Sequence, residues 1–230
     1  MACTPAIVVV LTAPSPTSRI PSRPRAGAIS MGFGTGENYI ISTVIPFRRR
    51  IDPFILVVGM AGVKLGDHFA QVGCAHGGRL AAIARQVGLS GRAVAVAPDT
   101  ATATLIQKAA SKAGVLVEVE AAPPTKLPLD DDAFDLVVFD NTAGLLSSMS
   151  AEDRAAAIAE ARRVTRPGGR VMVIGSSPRS GLTSLFSSAP TSQPLDPAPL
   201  LAGGGLKAPR TLADRDGLVF VEAVKPRTSA

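Results

Sequence analysis

Two spacings of apolar residues alternate along the chain. Short, nearly continuous apolar runs at Phe69–Val72, Ala93–Ala97, Leu116–Ala121, Leu136–Phe139 and Arg170–Ile174 predict strands buried on both faces. Between them, the segment from Arg79 through Leu80–Val87, then Thr100–Ala113 and Ala151–Val164, carry apolar residues at helical spacing. The punctuation agrees with this division. Gly88–Gly91 closes the first helix, Ser150 with Glu152 and Asp153 suits the start of the third, and Pro167, Gly168 and Gly169 end it. Strands and helices joined by short connections predict a parallel sheet with right-handed crossovers, whose ligands sit beyond the C-terminal ends of the strands.

The junction FAQVGCAHGGRL, Phe69–Leu80, is where such a ligand would meet the chain. Gly73, Gly77 and Gly78 follow the first strand, and the next helix starts at once. Small residues there let a ligand approach the backbone, and the free N–H groups of a first helical turn favour anionic or polar groups.

The N-terminal quarter reads differently. Residues 1 to about 30 hold Pro5, Pro14, Pro16, Pro21 and Pro24 with three arginines and no acid, a composition that makes no packed element. This stretch is expected to be a mobile tail, with Met31 as an alternative start and a transit-like segment as a second alternative. A secretory reading of Ala6–Ala13 fails because no positive residue precedes that run. GFGTG at Gly32–Gly36 lacks a preceding strand and reads as a turn. Tyr39–Phe47 and Ile51–Ala61 are apolar, are separated by Arg48, Arg49 and Arg50, and fall short of the ~20 residues that span a bilayer. A helix starting at Pro53 and packing on the core is expected. The alternative is an amphipathic element on anionic lipid, with Arg48, Arg49 and Arg50 at the headgroups. The expected organisation is a basic arm at 1–37, a helical segment at 38–62 and the main domain at 63–227.

Composition narrows the function classes. Hydrophobic residues make up 46% and charged residues 18%, which excludes a disordered chain. The two cysteines, Cys3 and Cys74, have no neighbours at metal-ligand spacing and imply neither a disulfide framework nor a metal site; a reducing, cytoplasmic setting follows. The net charge of +6 is concentrated in the arm, where residues 1–50 hold six arginines against Glu37 alone, while the rest has 18 bases and 17 acids. A near-neutral globular part argues against a nucleic-acid partner.

Three motifs in order, VGCAHGG at Val72–Gly78, LPLDDDAFDLVVFD at Leu127–Asp140 and ARRVTRPGGRVMVI at Ala161–Ile174, resemble the class I S-adenosylmethionine-dependent methyltransferases. The likeness is to the methyltransferase type 11 branch with the quinone-biosynthesis C-methyltransferases. Leu200–Ala223 resembles the family's last two strands. The resemblance implies an α/β, Rossmann-like sheet of seven mostly parallel strands with helices on both faces and a C-terminal antiparallel hairpin. It implies S-adenosylmethionine as cofactor, no metal, and a small acceptor, apolar or aromatic.

The same resemblance places the cofactor on Gly73, Cys74, Ala75, His76 and Gly77. In the family three acids hold its methionine end, its ribose and its adenine; here their positions carry Gln71, Ala97 and Pro123, and Ala75 replaces the middle glycine. Asp99 either supplies the ribose contact from two residues further on or caps the helix that follows. His76 either touches the cofactor's amino-acid end or faces solvent. Asp140 and Asn141 either position or deprotonate a nucleophile, or cap the next segment. Expected, therefore, is methyl transfer, or a binding or scaffold protein on the same fold, with Ser176–Pro199 as a lid or surface loop.

Overall fold

The computed structural model describes residues 54–177 and 195–227. The basic arm, the GFGTG turn, Tyr39–Phe47, the Arg48–Arg50 cluster, Pro53 and all of the Ser176–Pro199 stretch between 178 and 194 lie outside them.

In chain order the elements are α1 (Ile55–Ala61), β1 (His68–Val72), α2 (Gly77–Val87), β2 (Arg92–Ala97), α3 (Thr100–Ala113) and β3 (Glu118–Ala121). There follow β4 (Phe134–Asp140), α4 (Ala151–Val164), β5 (Thr165–Ser176), α5 (Pro197–Gly203), β6 (Lys207–Arg215) and β7 (Leu218–Val224). Helices α3, α4 and α5 start where side-chain caps satisfy the first N–H groups. Asp99 accepts from the Thr102 N–H at 2.7 Å, and Ser150 accepts from the Asp153 N–H at 3.0 Å.

One sheet runs in the order β3-β2-β1-β4-β5-β7-β6. The first five are parallel to one another, and β7 is antiparallel to both β5 and β6. This is the expected Rossmann-like architecture with its C-terminal hairpin. Alternation along each strand divides the core into two layers. Ala70, Val72, Val137 and Phe139 face the side covered by Ala157, Ile158 and Leu201 of α4 and α5. Phe69, Ala95, Val138 and Met172 face the side covered by Val57, Leu80 and Ile106 of α1, α2 and α3.

Two details depart from the sequence reading. The Pro167–Gly169 turn does not separate α4 from a later strand, because α4 passes into β5 at Thr165, which pairs with Phe134. The Pro-Gly-Gly is an irregularity inside β5: Gly168 adopts φ 81°, its N–H donates to the Lys225 carbonyl at 2.9 Å, and the Lys225 N–H donates to Gly169 at 2.9 Å. Second, Leu200–Gly203, read as strand, closes α5, which is capped by the Asp196 carboxylate accepting from Ala198 at 3.0 Å.

Charged residues lock the N-terminal edge of the sheet. Glu222 of β7 is 1% exposed; it accepts from Arg170 at 3.0 Å and from Arg210 at 2.7 Å, while Arg170 also donates to the Ala61 carbonyl at 2.6 Å. The acidic turn, simplest as a solvated loop in sequence, is gripped by Arg163, which donates to the Leu127 and Leu129 carbonyls at 2.9 Å and pairs with Glu160 and Asp131. Those hydrogen bonds from Arg163 hold the Glu160 carboxyl below the usual carboxylate range.

Candidate functional site

The strand order reverses at β1, whose neighbours are β2 on one side and β4 on the other. The crevice beyond their C-terminal ends is the ligand position of an open α/β sheet. Gly73 leaves β1 at φ 74°, a conformation that favours glycine, and its N–H donates to the Val96 carbonyl at 2.9 Å. Leu145 covers it closely: a Cβ on Gly73 would lie 2.6 Å from the Leu145 Cδ2. Helix α2 then begins at Gly77, two positions before Arg79 where the sequence suggested. Gly77 is tight against α3, since a Cβ there would lie 2.4 Å from the Ala109 Cβ.

The loop is tied to β4 by Asp140. Its Oδ2 accepts from the Ala75 N–H at 2.9 Å, and its Oδ1 accepts from the Thr142 N–H at 3.2 Å and the Thr142 hydroxyl at 2.6 Å. Arg79, from the first turn of α2, donates through Nη2 to both Asp140 oxygens at 3.3 Å and to the Thr142 hydroxyl. Asp140 is 2% exposed. A carboxylate surrounded by this many donors holds the loop in place, the positioning and capping roles among the alternatives for Asp140. Asn141 is likewise a capping residue: its Oδ1 accepts from the Leu146 N–H at 2.7 Å and the Ser147 N–H at 3.3 Å, fixing the turn after β4.

Other positions singled out in sequence fall as follows. Gln71 is 1% exposed, and its amide donates to the Gly73 carbonyl at 3.0 Å while its Oε1 is buried without a donor. Cys74 is buried, and that burial, with Asp140 adding to it, pushes its thiol up to about 12, so it is no thiolate. Ala75 and His76 are exposed, and the His76 ring meets Phe54 with centroids 5.4 Å apart, which is a contact with the residue preceding α1. Ala97 ends β2 fully buried, and Pro123 is exposed in the turn after β3.

Asp99 caps α3 with both oxygens, Oδ1 on the Thr102 N–H and Oδ2 on the Thr102 hydroxyl at 3.0 Å. The capping alternative for Asp99 is the one these hydrogen bonds realise. The Thr102 hydrogen bonds hold the Asp99 carboxyl below its ordinary value. A lowered folded-state value means that the cap's contribution is full above the unfolded carboxylate range and is lost as pH falls through the folded one. Asp99→Ala is expected to lower the melting temperature at pH 7, with the difference from the parent shrinking toward pH 3 in a thermal melt. Ligand affinity is expected to stay within about twofold; a tenfold loss would restore Asp99 to the ligand site.

Arg79 is the residue that sequence reasoning missed. It stands in an ordinary helical position, and its partners Asp140 and Thr142 lie far along the chain. Its Nε is buried with no acceptor. By alternation, Gln71 and Asp140 project from the same face of adjacent strands, the face that carries α2, because Gln71 pairs with Val138. An acceptor of Gln71 and a donor of Arg79 are thus buried without a partner on the α2 side of the sheet, beside the loop that leads into α2. The ribose and adenine positions offer no matching side chain among the described residues. Also among the described residues, no cluster of His, Cys, Asp or Glu has a metal-binding arrangement, and no helix is long and apolar enough to cross a membrane.

This combination of strand order, glycine loop and terminal hairpin defines the class I methyltransferase fold. Residues 70–173 match the family described as a methyltransferase domain. A ubiquinone/menaquinone biosynthesis C-methyltransferase, UbiE, of Cupriavidus taiwanensis is 29% identical over 120 residues, covering 52% of this chain and 47% of the relative. An uncharacterised 37.1 kDa protein in transposon TN4556 of Streptomyces fradiae is 34% identical over 110 residues, covering 47% of this chain and 30% of the relative. The chain therefore spans less than half the length of either. The crystal structure of a SAM-dependent methyltransferase from Aquifex aeolicus superposes with a TM-score of 0.60 at 20% identity, covering 75% of this chain and 93% of that one. Over residues 70–173 the chain is thus similar to the methyltransferase domain family, and its fold is that of the class I S-adenosylmethionine-dependent methyltransferases.

Proposed function

We propose that this chain transfers a methyl group from S-adenosylmethionine to a small apolar or aromatic acceptor lying over the ends of β4 and β5. The observation that carries the reading is the glycine loop at the β1–β4 switch, with the buried polar atoms of Gln71 and Arg79 left for a ligand. The family match over residues 70–173 supports it, and so does the likeness to UbiE, whose name is that of a C-methyltransferase.

The cofactor, when bound, supplies an activated methyl on a sulfonium, so the protein's task is alignment and exclusion of water. Gln71, Arg79 and the N–H groups of Gly77 and Gly78 hold the polar end. Asp140 and Asn141 keep the loop and the Thr142–Ser147 turn at a fixed separation, so that Leu145 closes over Gly73 as an apolar cover. Asp140 and Asn141 thus act as positioning groups. An acceptor that is already electron-rich fits a site with no free base among its buried side chains.

Titration calorimetry of the full chain with S-adenosylmethionine and S-adenosylhomocysteine tests the reading. Micromolar affinity for both is expected, together with a slow exchange of label from methyl-labelled cofactor into apolar phenols or quinols. Absence of heat at millimolar ligand would refute it and leave a fold used for binding something else.

A further inference from the structure

We propose that the cleft between α1, α2 and α3 is a second binding site, for a small aromatic carboxylate, independent of methyl transfer.

The cleft is a cavity of about 450 Å³, a size that small-molecule sites have. None of its lining residues belongs to a strand, and it meets the glycine loop only through His76 and Gly78, so it lies apart from the crevice at the strand ends. Small side chains make the room. Ala81 and Ala82 of α2 face Ala109 and Ala113 of α3, and the close approach at Gly77 holds the two helices together. Val58 of α1 and the preceding Phe54 supply an apolar wall, with the Phe54 ring 5.4 Å from that of His76. From Gly78 to Arg85 the cleft follows α2 over about 10 Å of helix rise, the length of a two-ring aromatic acid.

Charge decides the occupant. Helices α1, α2 and α3 together contain Arg79, Arg85, Lys108 and Lys112 and no acidic residue. Helix α4, by contrast, sets Glu152, Asp153 and Glu160 against its arginines. Arg85 and Lys112 both border the cleft, and neither forms an ion pair among the described residues. The Arg85 Nη2 donates to the Ala113 carbonyl at 3.1 Å. That bond brings the guanidinium to the end of α3 that carries Lys112 and leaves its other N–H groups for an oxyanion. Cations near helix C-termini suit the helix dipole, but that local role does not require the two to border one cavity, nor does it empty three helices of acids. Residues 1–53 hold six arginines against Glu37 and Asp52, so they share the sign of the cleft and do not complement it. A flat aromatic body fits along the alanines against Phe54, and a carboxylate at its end meets Arg85 and Lys112.

Amide-resolved NMR of the full chain tests this with three probes: 2-naphthoate, its neutral amide and acetate. 2-Naphthoate is expected to shift the backbone amides of Ala82, Arg85 and Ala113 saturably by about 10 mM, the range of a ligand of this size. The neutral amide is expected to bind about fivefold more weakly, the scale of two exposed ion contacts, and about 0.5 M salt to remove that difference. Acetate is expected to leave these resonances in place. In the double variant Arg85→Gln with Lys112→Gln, two exposed positions, the preference for the anion is expected to fall to within about twofold. Ala82→Leu, which fills the cleft, is expected to abolish binding of both aromatic probes. Where Ala82→Leu fails to fold by circular dichroism, the double variant decides. The inference is overturned by no saturable shift, by equal binding of 2-naphthoate and its amide, or by an equal response to acetate. It is overturned too by a double variant that keeps the preference, by binding that survives in folded Ala82→Leu, or by shifts confined to the strand-end loops. Shifts of the same amides on dilution without any probe would assign the cleft to a second copy of the chain, and overturn it as well.

Discussion

Replacing Arg170 with methionine is expected to cost about 3 kcal/mol of folding stability, because it strips a buried carboxylate of half its compensation. Glu222 is 1% exposed and its two oxygens are divided between two arginines, Oε2 to Arg170 and Oε1 to Arg210. The Arg210 side chain is 69% exposed, so its half of the arrangement is open to water, while the Arg170 half is the sheltered one. Arg170 also holds the Ala61 carbonyl at the end of α1, which methionine cannot do. Urea unfolding followed by circular dichroism measures the loss, read as a lower midpoint at constant slope. The double variant Arg170→Met with Glu222→Met is expected to recover most of it, since an apolar pair removes the unpaired charge as well as its partner. A single variant that unfolds within about 0.5 kcal/mol of the parent would show that Arg210 alone suffices.

The second large effect is expected at Gly77. An alanine there would place its Cβ 2.4 Å from the Ala109 Cβ and 3.2 Å from the Leu105 backbone oxygen, so α2 and α3 must move apart. Overpacking of this kind costs about 1–3 kcal/mol. It also displaces the start of α2, and with it Arg79 and the loop N–H groups, so affinity for S-adenosylhomocysteine is expected to fall by more than about tenfold. The clash names its own remedy. Ala109→Gly destabilises a helix interior by about 1 kcal/mol when made alone, yet in the Gly77→Ala background it is expected to restore both stability and binding in part. Additive losses in that cycle would mean that the two helices do not meet at this point.

Much of the fold is legible in the sequence, for a physical reason that differs between elements. The helices Thr100–Ala113 and Ala151–Val164 were bounded correctly because Asp99 and Ser150 are local caps whose partners lie three residues away. The third strand, read from Leu116, begins at Glu118, whereas other strands extend beyond their apolar runs at His68, Arg92 and Phe134-Asp135, where His68, Arg92 and Asp135 are polar yet paired. The His68 N–H donates to Asp135 at 2.8 Å, and Arg92 donates to Glu118 at 2.7 Å. Pro167–Gly169 looked like a stop because its pairing partner, Lys225, lies far along the chain. The candidate site divides in the same way. Gly73, Gly77 and Gln71 were visible as a motif with substitutions. Arg79, and the occupation of Asp140 by it, were invisible because an ion pair between a helix start and a distant strand end leaves no spacing signal in sequence.

The hairpin order has a consequence for synthesis. β5 contributes Val171–Ile174 to both layers of the core, yet one of its edges is covered by β7, the last strand of the sheet to be made. A chain emerging from the ribosome therefore carries an apolar strand with an open flank until Leu218–Val224 has followed it out, a state prone to pairing with other chains. Truncations ending between Ser176 and Leu218 should accordingly be recovered as aggregates, and the flank of β5 closes only once Leu218–Val224 is in place.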